Sequence, residues 1–189
     1  MSQQKVAGRY AKSLLDLAKS YNQLEEVYQD VLSITQACKS RELVVALKSP
    51  VIPANKKAGI IHSLFGSKIS DLTMKFMDLL VEKGRDKELV SICSAFVSQY
   101  KDFKKIKSAT LYTAHQMSDQ EVNELQSRFS HWLKPGEKME ITQKKNESLV
   151  GGFVLEMENQ LYDGSVRRQM ELLRSNLYDK SYINLVEKK

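Results

Sequence analysis

Histidine, cysteine and proline are scarce in this chain, at three, two and three of 189 residues, and each shortage excludes something. His62, His115 and His131 stand apart; none lies at metal-ligand spacing from another His, Cys or carboxylate, so no metal site is expected. Cys38 and Cys93 each fall on the apolar stripe of a predicted helix. They read as buried free thiols with too few partners for a metal or a disulfide, which fits a reducing compartment. With so few prolines and only eight glycines, long disordered segments are not expected. No apolar run approaches the roughly 20 residues of a membrane span. No signal or transit peptide precedes the first amphipathic pattern, so the expectation is a soluble protein. Nucleophile elbows and triad-like constellations are missing as well. Gly151-Gly152 lacks the lysine and the strand-loop-helix order of a phosphate loop; it reads as a bulge or a place where backbone must come close.

What remains is ordinary globular composition, 42% hydrophobic and 28% charged, in a chain long enough for one large or two small domains with a real core. Lys and Arg number 29 against 23 Asp and Glu, and the sequence pI is near 9.2. A basic balance points to nucleic acid, an anionic membrane surface or an acidic protein. Here the acids are mixed through the same helices as the bases, which favours a solvated surface. Tyr100 with Lys101, Lys104, Lys105 and Lys107 suggests nucleic acid most, but Phe103 and Ile106 read as inward-facing and leave no stacking platform.

Six helices are expected before about residue 105. Val6, Tyr10, Leu14, Ala18 and Tyr21 mark the first, from about residue 4 to 20. Asn22 and Glu25 have capping-box spacing ahead of the second, whose stripe is Leu24, Val27, Tyr28, Val31, Ile34 and Cys38. Ser40 starts a short third helix that Pro50 and Pro53 end. Pro53 opens the fourth, which stops at Gly66. The fifth, Leu72 to Val81, carries Met74, Phe76, Met77, Leu79 and Leu80 and is apolar on nearly every side, so it is enclosed or keeps a second face for a partner. Asp86 can cap the sixth, with Leu89, Cys93, Phe96, Tyr100 and Phe103 inward.

The second half alternates differently. Ala109, Leu111 and Thr113 predict one face of a strand, and Ser118 with Glu121 predicts a capping box. Val122, Leu125, Phe129, Trp132 and Leu133 follow on one helical face. Met139 and Ile141 suggest a short strand. Phe153, Leu155 and Met157 suggest another, turning at Asn159-Gln160 into Leu161-Tyr162. Asp163-Gly164-Ser165 then caps a helix with Val166, Met170, Leu173 and Leu177 on one face. Arg167 and Arg168 could hold an anion at that helix start, or Arg167 could simply pair with Glu171. The expected fold is α+β, mostly α. A six-helix antiparallel bundle over 1–105 precedes a small mixed α/β domain over 106–180, a short sheet whose apolar face both helices bury, and then a tail over 181–189.

Leu149-Val150-Gly151-Gly152-Phe153 followed by Tyr162-Asp163-Gly164-Ser165-Val166-Arg167 resembles the C-terminal signature of the δ subunit of F-type ATP synthases, a family that includes the mitochondrial oligomycin-sensitivity-conferral protein. Gly8-Arg9-Tyr10-Ala11-Lys12 with Leu14 and Ala18 is similar to that family's opening helix, and Asp78 through Arg85 to the end of its fifth, so the likeness spans nearly the whole chain. The resemblance implies a non-catalytic stator subunit without cofactors. It implies that Tyr10, Ser13, Leu14, Phe76, Leu79 and Lys83 line a groove for the N-terminal helix of an α subunit. It also implies that Phe153, Val166, Met170 and Leu173 grip the C-terminal helices of b subunits. Nucleic acid is not a partner on this reading, and the membrane is met only through the complex, on the cytoplasmic face of a bacterial inner membrane. The alternatives are a basic nucleic-acid-associated adaptor and an enzyme using Asp163, Ser165 and Arg167 at an anion site.

Overall fold

Six α-helices take up the chain as far as Lys104: α1 (Gln3–Ser20), α2 (Leu24–Ala37), α3 (Arg41–Lys48), α4 (Ala54–Phe65), α5 (Asp71–Glu82) and α6 (Leu89–Lys104). The computed structural model describes residues 3–158 and 160–180; Asn159 and the 181–189 tail lie outside them. The division into two units falls between Lys104 and Lys105.

The helical period explains what each helix buries. On α1, Val6, Ala7, Ala11, Leu14, Leu15 and Ala18 face inward. The small alanines let α6 come close enough for Gln99 Nε2 to donate to the Gly8 carbonyl at 2.9 Å. Val27, Val31 and Ile34 of α2 meet Ile92, Phe96 and Tyr100 of α6 in the core, where each such side chain contributes roughly 1.5–3 kcal/mol. Cys93 is buried there too, and burial pushes its thiol pKa up to about 12; Cys38 is half-buried.

Two expectations about helix ends fail for local reasons. Asn22 takes a left-handed backbone (φ 54°), so it cannot serve as a cap, and Gln23 precedes α2 without a side-chain cap. Glu25 turns instead to Tyr100 and Lys104, and the Lys104 ammonium holds its carboxyl below the usual range. Asp86 does not cap α6. It lies buried in a short 3-10 turn, Asp86–Glu88, and pairs with the ammonium of buried Lys57, which also donates to the Leu47 carbonyl at 2.6 Å. α4 does stop at Gly66 as expected, with that glycine still in ordinary helical backbone, whereas Gly84 beyond α5 is left-handed at φ 64° and ends it as a glycine can.

The second unit holds β1 (Ile106–Thr113), α7 (Asp119–Arg128), β2 (Lys138–Lys145), β3 (Phe153–Met157), β4 (Gln160–Asp163) and α8 (Val166–Lys180). The sheet order is β2-β1-β3-β4. β1 and β2 are parallel with α7 in their crossover, and the other pairs are antiparallel, Leu111 opposite Leu155 and Ala109 opposite Met157. One face is apolar by alternation: Ala109, Leu111, Met139, Leu155 and Met157 form a core with Leu125 and Phe129. Ser118 and Glu121 complete the expected capping box at α7. The helix ends at Arg128, sooner than the stripe suggests, yet Trp132 and Leu133 still pack on the core from beyond it. Phe129 meets Trp132 and Tyr162 edge-on at 5.0 Å between ring centres. One expectation fails outright: α8 does not bury the sheet. Met170, Leu173 and Leu177 are 61%, 62% and 70% exposed.

Candidate functional site

Two surfaces leave apolar groups open. In the first unit, α1 and α5 border a groove of about 490 Å³ lined by Leu17, Tyr21, Gln23, Asp71, Leu72, Lys75, Phe76 and Leu79. Leu17, Tyr21 and Leu79 are 43%, 64% and 41% exposed, while Phe76 forms a nearly buried floor. Polar groups sit among them at Gln23, Asp71 and Lys75. Another face of α5 is enclosed, with Thr73, Met77, Leu80 and Val81 buried. So α5 is enclosed on one face and leaves apolar groups open on another. On its flank, Asp78 accepts from His62 of α4 at 2.9 Å.

The six residues expected for this groove divide. Phe76 and Leu79 line it. Leu14, 2% exposed, fills the core instead, beside Val31, Ile34 and Phe96. Ser13 lies on the outer surface of α1 in a shallow depression with Arg9, Lys12 and Asp16. Tyr10 is half-buried, and Lys83 is exposed at the C-terminus of α5, its ammonium 3.6 Å from Glu82. Leu17, Tyr21 and Leu72 are the apolar lining residues that the sequence did not assign to the groove. Their signal was available: Leu14, Leu17 and Tyr21 at steps of three and four make α1 apolar over a wider arc than one core-facing stripe needs.

In the second unit the open surface is α8. Val166, Met170, Leu173 and Leu177 recur at one helical face, with Leu172 alongside, 48% exposed. Phe153 is not part of that face; it stacks on Tyr162 at 5.6 Å inside the aromatic cluster.

The two glycine motifs meet at the start of α8, which explains why they occur together. Gly152 is left-handed (φ 76°), and a Cβ there would overlap the Gly164 carbonyl oxygen and lie 3.0 Å from Ser165 Cα. The contact is locked by Val166 N donating to Gly151 O at 3.0 Å and Gly164 N donating to Phe153 O at 2.9 Å. Buried Ser165 accepts from Arg168 N at 3.2 Å, and Asp163 Oδ1 accepts from Ser165 N at 3.0 Å. These bonds with Ser165 hold the Asp163 carboxyl below the usual range. Arg167 reaches Glu171 at 3.4 Å. The groups once considered for an anion site are thus engaged in capping and in a surface pair. Among the described residues no cluster of three His, Cys, Asp or Glu could hold a metal ion, and no helix is long and apolar enough to cross a membrane.

A helical unit with an open apolar groove is followed by a small sheet unit whose last helix keeps an apolar face exposed. Comparison with known proteins then places the chain. The family model for the ATP synthase delta (OSCP) subunit matches residues 6–177. The chain is 32% identical to ATP synthase subunit delta of Cytophaga hutchinsonii over 185 residues, 97% of this chain and all of that one. It is 33% identical to the subunit delta of Chlorobaculum parvum over 178 residues, covering 94% and 97% of the two chains. A chain in the cryo-EM structure of the Toxoplasma gondii mitochondrial ATP synthase hexamer superposes with a TM-score of 0.66 at 28% identity, over 91% of this chain and 97% of its own. This chain belongs to the ATP synthase delta (OSCP) subunit family.

Proposed function

We propose that this chain is the stator subunit of an F-type ATP synthase that joins the catalytic head to the peripheral stalk. The first unit takes the N-terminal helix of an α subunit into the α1/α5 groove, and the second grips the C-terminal helices of the b subunits with α8. The observation that carries this reading is the groove. It is long on apolar contact through Leu17, Tyr21, Leu72, Phe76 and Leu79, and it has a polar rim, which suits an amphipathic helix laid along it.

The mechanism is mechanical. A rotor turning inside the head exerts torque, and the head would turn with it unless held. Two linked contacts hold better than either alone, because each keeps the other's partner at high local concentration. No residue of the chain makes or breaks a covalent bond in this role, and no cofactor enters it. The subunit sits peripherally at the cytoplasmic face of a bacterial plasma membrane, reached through the complex rather than by a span of its own.

Calorimetry with a synthetic peptide of the α-subunit N-terminal helix tests the reading. Placing aspartate at both Leu17 and Leu79 charges the two walls of the groove, and affinity should fall by more than a hundredfold, by an estimate of roughly 1.5–3 kcal/mol per apolar side chain. Unchanged affinity in that variant would dismiss the groove as the site.

A further inference from the structure

Asp30 of α2 is 6% exposed, and a buried carboxylate is costly unless donors satisfy it. Its Oδ2 accepts from Ser70 N at 3.0 Å, from Ser70 Oγ at 2.6 Å and from Thr73 Oγ1 at 2.8 Å. All three donors lie at the start of α5, two on the residue just before it and one on Thr73 in its first turn. Ser70 is at the same time the N-cap of that helix, its Oγ accepting from Thr73 N at 3.4 Å. A negative charge at this end also complements the helix dipole.

We infer that Asp30 is a positioning residue for the groove, an inference that rests on the proposed α-subunit site. It never touches the groove itself. It fixes where α5 begins and how that turn is rotated against α2, and Leu72, which lines the groove, lies inside the clamped turn. Phe76 and Leu79 follow one and two turns further along the same rigid helix. Release of the clamp lets the first turn fray or rotate, and the wall of the groove moves with it. Propensity would not hold this end in place by itself, because Thr73 is a poor helix former.

The test is binding of the same α-subunit peptide to the full chain, with four variants compared at equal temperature. Asp30→Ala should weaken binding about tenfold, the equivalent of losing one charge-assisted network of about 1.4 kcal/mol. Asp30→Asn, which keeps an acceptor oxygen, should recover most of that loss. Thr73→Val, nearly isosteric, should cost roughly threefold, and it serves where Asp30→Ala does not fold. Leu43→Ala on α3 supplies a loss of stability in the same unit, and it should leave affinity within about twofold. Wild-type affinity in Asp30→Ala and Thr73→Val, or a loss that Leu43→Ala reproduces at matched stability, would overturn the assignment while leaving the groove intact. Full affinity in the Leu17/Leu79 aspartate variant would overturn the groove reading and this inference with it.

Discussion

The two units spend their apolar residues differently. In the first, the stripes of α1, α2 and α6 close on one another, so that Phe96, Leu14 and Ile34 are at most 2% exposed. In the second, a thin sheet is covered by α7 and the residues just after it, and the apolar face of α8 stays open. A helix rich in charge that keeps four apolar side chains at helical spacing in water is not explained by folding alone. The difference teaches that an amphipathic stripe says a face will be covered, not by what.

Several substitutions would break or sharpen this contrast, and the largest concerns the first unit. Asp86→Ala leaves the Lys57 ammonium buried without its carboxylate and should cost about 3–5 kcal/mol in chemical denaturation. The double change Lys57→Met with Asp86→Leu should recover much of that loss. In the second unit, Leu155→Ala should cost about 2–5 kcal/mol, because Leu155 is wholly buried between strands and helix. Leu173→Ala on α8 should change stability by less than about 0.5 kcal/mol, yet weaken b-subunit binding. Equal effects of these two leucines would erase the distinction between core and open face. Gly152→Ala should cost roughly 3 kcal/mol, since it adds a Cβ where the Gly164 carbonyl already sits and holds a left-handed backbone.

The smallest effect is a pH dependence. The folded carboxyls of Asp163 and Glu121 titrate below their unfolded values, held down by hydrogen bonds from Ser165 and Ser118. A depressed folded pKa means the unfolded chain binds the proton first. Their contribution is therefore full above the ordinary carboxylate range and is lost as pH falls through the folded values. Replacing Asp163 with Asn should flatten the acid limb of the stability curve of the second unit, measured by denaturant midpoint against pH. An unaltered acid limb would remove the capping role given to this carboxylate.

Much of the fold was legible because its signals are periodic. Leu24 to Cys38, Ala109 to Thr113 and the Ser118–Glu121 box all announced their elements by spacing alone. Partners distant in sequence left no such trace: nothing near Lys57 or Asp86 foretold their pairing, and Asp86 looked like a cap because its type and place suited one. Parallel pairing of β1 and β2 was equally silent, since period two is the same in either direction. At the groove, Leu14 and Leu17 are the same residue type three positions apart, and a helix turn of about 3.6 residues sends one inward and leaves the other at the rim. Only the positions of α5 and α6 decide which is which. The glycine motifs were readable as a pair, but their reason is a backbone contact between β3 and the start of α8 that no local pattern contains.

The most direct test of the two-surface account is co-purification of α and b subunits with the tagged chain from detergent-solubilised membranes. The account predicts that the unaltered chain brings both. Aspartates at Leu17 and Leu79 should lose α and keep b, and aspartates at Met170 and Leu173 should lose b and keep α. Loss of both partners from either variant, or of neither, would contradict it.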